Sequence, residues 1–388
     1  MIHRRFEDVT KDDIDSLLAN SVMEQLTLDY KAKLPGAQDA EKRELLFDAT
    51  SFANALGGEI LFGVVDARVN GRSTGMPGEA PGLAGINVDA ESLRLTNLCR
   101  DAVSPPLTGV RIKVIDGFSD GPVLLMRIPQ SYAAPHMVTS AWRFYSRTTG
   151  GKYPMGVTEL RNAFVASEAT NEKVSRFRDG RLSRILAGDT PAVLDSGPRL
   201  VLHILPVAAF SGRPRSFDVA SLESEEVPRF RPSGYNRRRN FDGLLTYSDS
   251  RHYTQVFRDG CVEIVDTSVL PDDLIRVQAI EVFLQRTLST YARLSIKLDI
   301  PVPWVVLISF LGVKDLRLGV DQWLETFLDL VPVDRADLIF PDVVVEDTES
   351  DFEQVLTPIF DQLWQAGGAM GSYRHDQENS RWVLRTAP

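Results

Sequence analysis

Four side chains that could handle a phosphate group lie near the ends of apolar segments in the N-terminal part of the chain. Glu24, Asp29 and Lys31 fall within eight residues, and Asp66 follows the apolar segment 59–65. Carboxylate oxygens are preferred ligands of Mg²⁺ and Mn²⁺, and either cation would stabilise charge that develops on a phosphate. Lys31 could hold the same phosphate, since a strand places residues 29 and 31 on one face. The spacing alone also fits solvated acids, with Lys31 paired to Asp29 or Glu24.

A second group of residues has the pattern of a nucleic-acid-binding strand. Arg143, Tyr145 and Arg147 alternate, so they share one face of a strand, and Lys152 follows shortly after. The cations could follow a phosphate backbone, and the aromatic ring between them could stack on a base. An ordinary exposed strand face is the alternative interpretation.

Local sequence patterns predict the elements that would position these groups. Apolar spacing predicts helices over 12–23 and 42–56 with a strand over 26–31 between them, and Gly57 suits the turn after the second helix. Residues 59–65 are apolar at nearly every position, which predicts a central strand covered on both faces. The glycine-rich stretch 66–85 is expected to be a mobile loop. Later patterns predict a helix over 89–101, strands over 110–115, 123–128 and 143–147, and a helix from Val157 with Thr158 as N-cap.

A charged and then loop-like stretch divides the chain into two predicted domains. We expect an α+β domain with a mixed sheet over 1–165, a linker over 166–198, and a second α+β domain of unknown role over 199–388. The most basic stretch of the second domain, Arg237–Arg239, could grip phosphates or could be a solvated loop. The remaining patterns predict strands over 200–205, 252–257, 261–266, 302–311 and 338–345, and helices over 274–294 and 352–366.

Composition narrows the classes of function. The chain has 388 residues, a formal net charge of −10 and two cysteines, Cys99 and Cys261. The negative charge argues against a general nucleic-acid coat, although screening leaves room for a local basic groove. Two cysteines cannot form a disulfide framework or a four-thiolate zinc site, and they favour a reducing cytoplasm. Neither a signal peptide nor an apolar run of ~18 residues is found, so no membrane contact is expected.

Residues 24–164 resemble the Schlafen-type AlbA-like domain, on five blocks that occur in the order of that family. The blocks are Glu24…Asp29-Tyr-Lys31, Ser51-Phe-Ala-Asn54 with Gly57-Gly58, Phe62-Gly-Val-Val-Asp66, Arg127-Ile-Pro129 with Pro135, and Arg143-Phe-Tyr-Ser-Arg147 with Thr158-Glu-Leu160. The resemblance implies that Glu24, Asp29 and Asp66 bind a metal and cut RNA. This sequence departs from the family at Asp29, where glutamate is usual, so the side chain that carries the carboxylate is one methylene shorter.

These observations lead to one principal hypothesis and two alternatives. The principal hypothesis is a cytoplasmic endoribonuclease that uses Mg²⁺ or Mn²⁺, acts on structured RNA such as tRNA, and serves in phage defence or stress. The alternatives are a non-catalytic nucleic-acid- or nucleotide-binding regulator, with DNA as a further partner, and a scaffold whose C-terminal domain recruits a protein. A homodimer is expected because a single AlbA-like copy offers half of a groove.

Overall fold

Helices and strands are mixed along the whole chain, which has the α+β fold that the sequence predicts. The computed structural model describes residues 2, 4, 6–69, 72–131, 133–210, 216–223, 226–229, 235–270, 273–376 and 381–385. Two compact units are present, Met1–Asn171 and Glu172–Pro388. Within the described ranges, every helix is too short or too polar to serve as a membrane span.

Among its described residues, the first unit alternates short strands with three helices and then enters a fourth helix, which continues into the second unit. In chain order its elements are α1 (Lys11–Ala19), β1 (Leu28–Lys31), α2 (Asp39–Ala53), β2 (Gly58–Phe62), β3 (Val65–Val69), β4 (Arg72–Glu79), α3 (Val88–Asp101), β5 (Val103–Ser104), β6 (Arg111–Ile115), β7 (Val123–Ile128), β8 (Met137–Val138), β9 (Arg143–Thr148) and β10 (Gly151–Pro154).

Strand β2 is an inner strand of a four-stranded sheet with the order β1-β2-β7-β6. Strand β1 runs parallel to β2, and the other neighbours are antiparallel. All five residues of β2 are buried, as its apolar sequence predicts. Ile60 and Phe62 belong to the core with α2 and α3, whereas Leu61 belongs to the core with α1. The sheet is therefore covered on both faces.

Helix α2 packs between this sheet and a second sheet with the order β10-β9-β8-β5. Its apolar face is buried, with Phe52 fully enclosed at the C-terminal end. Asn54 follows the last turn and donates to the carbonyls of His136, at 3.0 Å, and Tyr145, at 2.8 Å. Its side-chain oxygen also accepts from the amide of His136 at 2.7 Å. These bonds attach the end of α2 to the second sheet.

Two glycines allow the chain to turn from α2 into β2. Gly57 has a φ of +72°, and a Cβ there would lie 2.6 Å from the amide nitrogen of Gln130. A Cβ on Gly58 would lie 2.2 Å from the ring of Phe52. Both positions therefore require glycine, because a side chain would meet backbone at one and a buried ring at the other.

The prediction of a mobile loop over 66–85 is wrong. Strands β3 and β4 form an antiparallel hairpin there, with register shifts on both sides of Asp66. Glycine and Pro77 lower the strand propensity of this stretch, and bulges accommodate such residues in a strand pair. Asp66 consequently lies on a strand beside the main sheet.

A long helix, α4 (Val157–Leu186), occupies most of the stretch predicted to be a linker. The division between the two units, at Asn171 and Glu172, falls within it. The loop-like interpretation fits only the residues after Leu186. Thr158 lies inside the first turn and is not the N-cap, and the carboxylate of Glu159 accepts from the amide of Gly156 at 2.8 Å.

The second unit is dominated by one antiparallel sheet. Its elements are β11 (Arg199–Pro206), β12 (Asn236–Arg239), β13 (Gly243–Tyr247), β14 (His252–Phe257), β15 (Val262–Asp266), β16 (Leu274–Arg276), α5 (Val277–Leu298), β17 (Trp304–Leu311), β18 (Arg317–Gly319), α6 (Gln322–Phe327), β19 (Asp337–Ile339), β20 (Val343–Val345), α7 (Phe352–Gln365), β21 (Tyr373–Asp376) and β22 (Arg381–Leu384). The sheet has eight strands in the order β12-β13-β14-β15-β11-β17-β19, with β20 also pairing β17.

Helices cover both faces of this sheet. Helices α5 and α7 share a large apolar core with one face, in which the rings of Tyr291 and Trp304 meet edge to face at 4.8 Å. Leu182 and Ile185, from the C-terminal part of α4, pack on the other face. The predicted hairpin over 252–266 is confirmed as β14 and β15. The single strand predicted over 338–345 is wrong, because β19 and β20 are separate short strands.

A buried acid lies under the C-terminal part of α4. Glu263 accepts two hydrogen bonds from Arg181, at 2.7 and 2.6 Å, and one from the hydroxyl of Tyr253 at 2.7 Å. The Nε2 atom of His203 lies 2.9 Å from the same carboxylate. Burial alone would raise the pKa of Glu263, but Arg181 and His203 outweigh it and hold that pKa at about 2. The carboxylate is therefore ionised and fully hydrogen-bonded inside the unit.

Candidate functional site

Asp29 and Lys31 lie on the face of β1 that is turned towards α2. Leu28 and Tyr30 belong to the opposite core, so strand alternation places the two charged residues together, as the sequence predicts. The Nζ atom of Lys31 lies 3.2 Å from Oδ1 of Asp29 and 3.3 Å from Oδ2 of Asp48, on α2. Burial lowers the pKa of Lys31, but the charges of Asp48 and Asp29 raise it by more than burial lowers it. The net pKa lies above the usual value, so the ammonium stays charged.

Glu24 and Asp29 are in direct contact and share a hydrogen bond. Burial, this bond and the charge of Asp29 raise the pKa of Glu24 to about 8. Burial opposes ionisation of Asp29 as well, but Glu24, Lys31 and Arg147 together lower its pKa. Within the pair, the protonated form is therefore favoured at Glu24 and the ionised form at Asp29. The Oε1 atom of Glu24 also accepts from the amide of Tyr30 at 3.1 Å.

The β3–β4 hairpin brings Asp66 to the same region. The amide of Glu24 donates to the carbonyl of Gly75, on β4, at 2.7 Å. The charge of Asp66 contributes to the raised pKa of Glu24. The fold thus brings Asp66, which is distant in sequence, close enough to act on Glu24, and Glu24 in turn contacts Asp29.

Arg147 is on the predicted strand, but it faces the acids and is buried. Its guanidinium stacks on the ring of Phe52 at 3.7 Å, and Nη2 lies 3.7 Å from Oδ2 of Asp29. Only 4% of its side chain is exposed. The buried Nε and Nη1 atoms have no hydrogen-bond partner among the described residues. We therefore interpret Arg147 as a residue that fixes Asp29, in place of the open phosphate contact predicted from the sequence.

The other members of the predicted nucleic-acid face differ in exposure. Arg143 is exposed, at the start of β9. The ring of Tyr145 is half-buried and stacks on Phe47, with 4.2 Å between centroids. Lys152 pairs with Glu44 at 2.5 Å and with Asp48 at 2.8 Å. Strand parity predicted the shared face correctly, but the face does not present all its cations to solvent.

Asp48 is the site residue that the sequence analysis missed. Its buried carboxylate lies between Lys31 and Lys152, and burial together with the charge of Asp29 raises its pKa. The available signal was its position on α2, among the apolar residues 45, 46, 49 and 52. An acid on the buried face of a helix is costly unless it meets a cation.

The acids only partly match the predicted metal site. Across the described residues, no three His, Cys, Asp or Glu side chains are arranged as a ready metal site. Mg²⁺ commonly takes one or two carboxylates, while water and substrate phosphate complete its shell. Glu24 and Asp29, whose carboxyl groups already meet, fit that kind of donor set, and Asp66 adds negative charge nearby. Metal binding therefore stays a prediction for these residues.

A comparison with protein families decides which domain this is. The family Schlafen, AlbA_2 matches residues 24–156, about a third of the chain. The first unit carries a Schlafen-type AlbA-like domain. The match spans all the site residues described above, from Glu24 to Lys152. It points to a function connected with nucleic acids.

Two solved structures resemble parts of this chain at low identity. The DIP2311 protein of Corynebacterium diphtheriae is 15% identical, with 37% of this chain and 29% of that chain covered and a TM-score of 0.25. The N-terminal domain of a RecG-related protein from Nitrosomonas europaea is 21% identical, with 37% and 84% covered and a TM-score of 0.25. No curated protein matches the chain.

We expect Glu44→Gln to raise the affinity of the AlbA-like domain for RNA by up to about fivefold. Glu44 is largely exposed and would compete with a phosphate for Lys152, and an exposed ion pair contributes ~0.2–1 kcal/mol. Fluorescence anisotropy with labelled RNA in chelator measures the change. Glu168→Gln, which removes one exposed acid of α4, is the control for net charge. Equal effects of the two variants would show that Lys152 is not a phosphate contact.

Proposed function

We propose that the AlbA-like domain cuts RNA with the help of Mg²⁺ or Mn²⁺. The observation that supports this most strongly is the pairing of Glu24 with Asp29. Asp66 is close enough for its charge to act on Glu24, and Lys31 forms an ion pair with Asp29. Two carboxyl groups held together next to a third acid form a region of concentrated negative charge. Such a region suits a divalent cation and a phosphate that arrives with it.

The residues around the cluster would divide the work. When bound, the cation would supply charge stabilisation to the phosphate and lower the pKa of a water or ribose hydroxyl. Glu24 and Asp29 would hold it, with Asp66 as the third acid. Lys31, a third of whose side chain is exposed, would donate to a phosphate oxygen. Arg147 would keep Asp29 in place, because its guanidinium lies between the ring of Phe52 and the carboxylate of Asp29.

Asp29 stands where the family usually has glutamate, yet its position supports the proposal. The carboxylate reaches Glu24 and lies 3.2 Å from Lys31 despite its shorter side chain. The loss of one methylene has therefore not separated the two acids. We propose structured RNA such as tRNA as the substrate, and phage defence or stress as the setting, from the family resemblance alone.

A cleavage assay tests the proposal. Purified full-length protein is incubated with tRNA, mRNA and single-stranded DNA, with Mg²⁺, with Mn²⁺ and with chelator. We expect cutting of RNA that stops when the metal is removed. The absence of metal-dependent cutting on every substrate would contradict the nuclease and favour a regulator.

A non-catalytic nucleic-acid-binding regulator is the second candidate, and one observation favours it. Lys31 and Lys152 are each paired with two acids, and Arg147 lies beside Asp29. Cations and acids that neutralise one another in this way would also stabilise a site that catalyses no reaction. Retained RNA binding without cleavage would identify this case.

We further propose that the protein is a homodimer. A single AlbA-like domain offers one half of a groove, and two-fold symmetry is the commonest way to complete such a surface. We expect light scattering to give twice the monomer mass at micromolar concentration. A strict monomer, with and without RNA, would contradict the groove argument.

A further inference from the structure

Three consecutive arginines form an exposed edge strand in the second unit. Arg237, Arg238 and Arg239 belong to β12, the end strand of the eight-stranded sheet among the described residues, and all three are exposed. The sequence analysis left a solvated loop open, and the structure excludes it for these residues. In a strand, neighbouring side chains point to opposite faces. The edge therefore presents positive charge on both sides of the sheet.

Backbone carbonyls hold two of these arginines without cancelling their charge. Arg237 donates to the carbonyl of Leu222, and Arg238 donates to the carbonyl of Pro191 at 2.6 Å. Glu226 is close enough to feel the charge of Arg237, but its carboxylate is already bonded to Lys297 at 2.5 Å. The side chains of Arg237 and Arg238 are thus partly fixed in position by neutral acceptors, which leave their positive charge in place.

An exposed phenylalanine lies at the end of the same strand. Phe241, in the turn from β12 to β13, has 94% of its surface exposed. The turn around it is tied down: Arg258 donates to the carbonyl of Phe241 at 3.0 Å, and Asn240 accepts from the amide of Gly243 at 2.8 Å. A large apolar ring is therefore held in solvent on a fixed backbone, two residues from the last arginine.

We propose that β12 and Phe241 form a binding surface for single-stranded nucleic acid, separate from the acid cluster of the AlbA-like domain. Cations along an exposed sheet edge complement a phosphate backbone, and a fixed exposed ring offers a stacking platform for a base. Arginines on an edge also discourage the addition of another protein strand, which makes a strand-pairing partner a poor occupant. The proposal does not depend on cleavage by the first unit.

Binding of a fluorescein-labelled 20-nucleotide oligouridylate to the full-length protein tests the surface, in chelator and at several salt concentrations. We expect Arg238→Gln/Arg239→Gln to weaken binding and to flatten the salt dependence by ~0.7 units of slope for each lost phosphate contact. Phe241→Ala should weaken binding about fivefold or more, through the lost stacking. Inorganic polyphosphate, which has no bases, is the second probe. Its affinity should fall with the arginine variant and stay unchanged with Phe241→Ala.

Matched control variants test whether the loss of binding is specific to β12 and Phe241. Arg286→Gln/Arg293→Gln removes the same charge from exposed positions of α5, and Phe327→Ala removes another exposed ring. Thermal melting confirms that each variant is folded. The proposal is overturned if the wild type does not bind oligouridylate at low salt, or if the edge variants behave like their controls. It is also overturned if Phe241→Ala weakens both probes equally. Cleavage is measured separately with metal, so either proposal can fail alone.

Discussion

Asp66→Ala is expected to lower the rate of metal-dependent RNA cleavage at least about a hundredfold while RNA binding stays nearly unchanged. The acid lies on the β3–β4 hairpin and acts on Glu24 through its charge, next to the place where the cation would bind. A group that serves mainly the transition state affects the rate far more than ground-state binding, and loss of one such group commonly costs 10²–10³-fold. Single-turnover cleavage and anisotropy in chelator measure the two quantities.

Asp116→Ala is the matched control, because it removes an exposed aspartate from a turn of the same unit. We expect the control to cut RNA at the wild-type rate. Equal rates for Asp66→Ala and Asp116→Ala would remove Asp66 from the site. Cleavage that survives the loss of Glu24, Asp29 and Asp66 together would assign the reaction to other residues or to a contaminant.

Glu263→Ala is expected to lower the free energy of unfolding by about 3–5 kcal/mol. The variant leaves the guanidinium of Arg181 and the hydroxyl of Tyr253 without their acceptor inside the second unit. Removal of one partner of a buried ion pair costs this much, because the remaining charge is buried without compensation. Chemical denaturation followed by circular dichroism measures the loss. Glu325→Ala, at an exposed position of α6, should change stability by less than ~0.5 kcal/mol.

The same carboxylate predicts how stability depends on pH. The pKa of Glu263 is about 2 in the folded unit and 4.5 as the reference value. Because the folded pKa is the lower one, the stabilisation is fully present above pH 4.5 and disappears as the pH falls towards 2. In Glu263→Gln this part of the acid sensitivity should be absent. An identical loss of stability between pH 4.5 and 2 in variant and wild type would contradict the assignment.

Sequence patterns predicted the strands and helices that carry the site, but they did not predict how the side chains of the site pack against one another. Alternation along β1 placed Asp29 and Lys31 on one face, and the apolar run of β2 predicted a buried inner strand. Parity along β9 put Arg143 and Arg147 on one face too. It could not show that Phe52 covers the second arginine, since that contact depends on the packing of α2 against the sheet.

Two further features lay beyond local patterns for the same physical reason. Asp48 reads locally as one polar residue on an apolar helix face, and only the fold brings Lys31 and Lys152 to its carboxylate. The β3–β4 hairpin carries glycine and proline, so its residues favour a loop. The hairpin forms because β3 and β4 pair with each other, and this pairing tolerates bulges.

Titration of Mn²⁺ into the protein by isothermal calorimetry tests the central claim most directly. Glutamine at position 24 can still donate a hydrogen bond to Asp29, as the protonated Glu24 does, but it is a much weaker metal ligand. The variant Glu24→Gln should therefore keep the fold and lose the cation. The account predicts one Mn²⁺ bound per chain in the wild type and in Asp116→Asn, and none in Glu24→Gln at the same concentration. Equal binding by wild type and Glu24→Gln, or no binding by either, would contradict it.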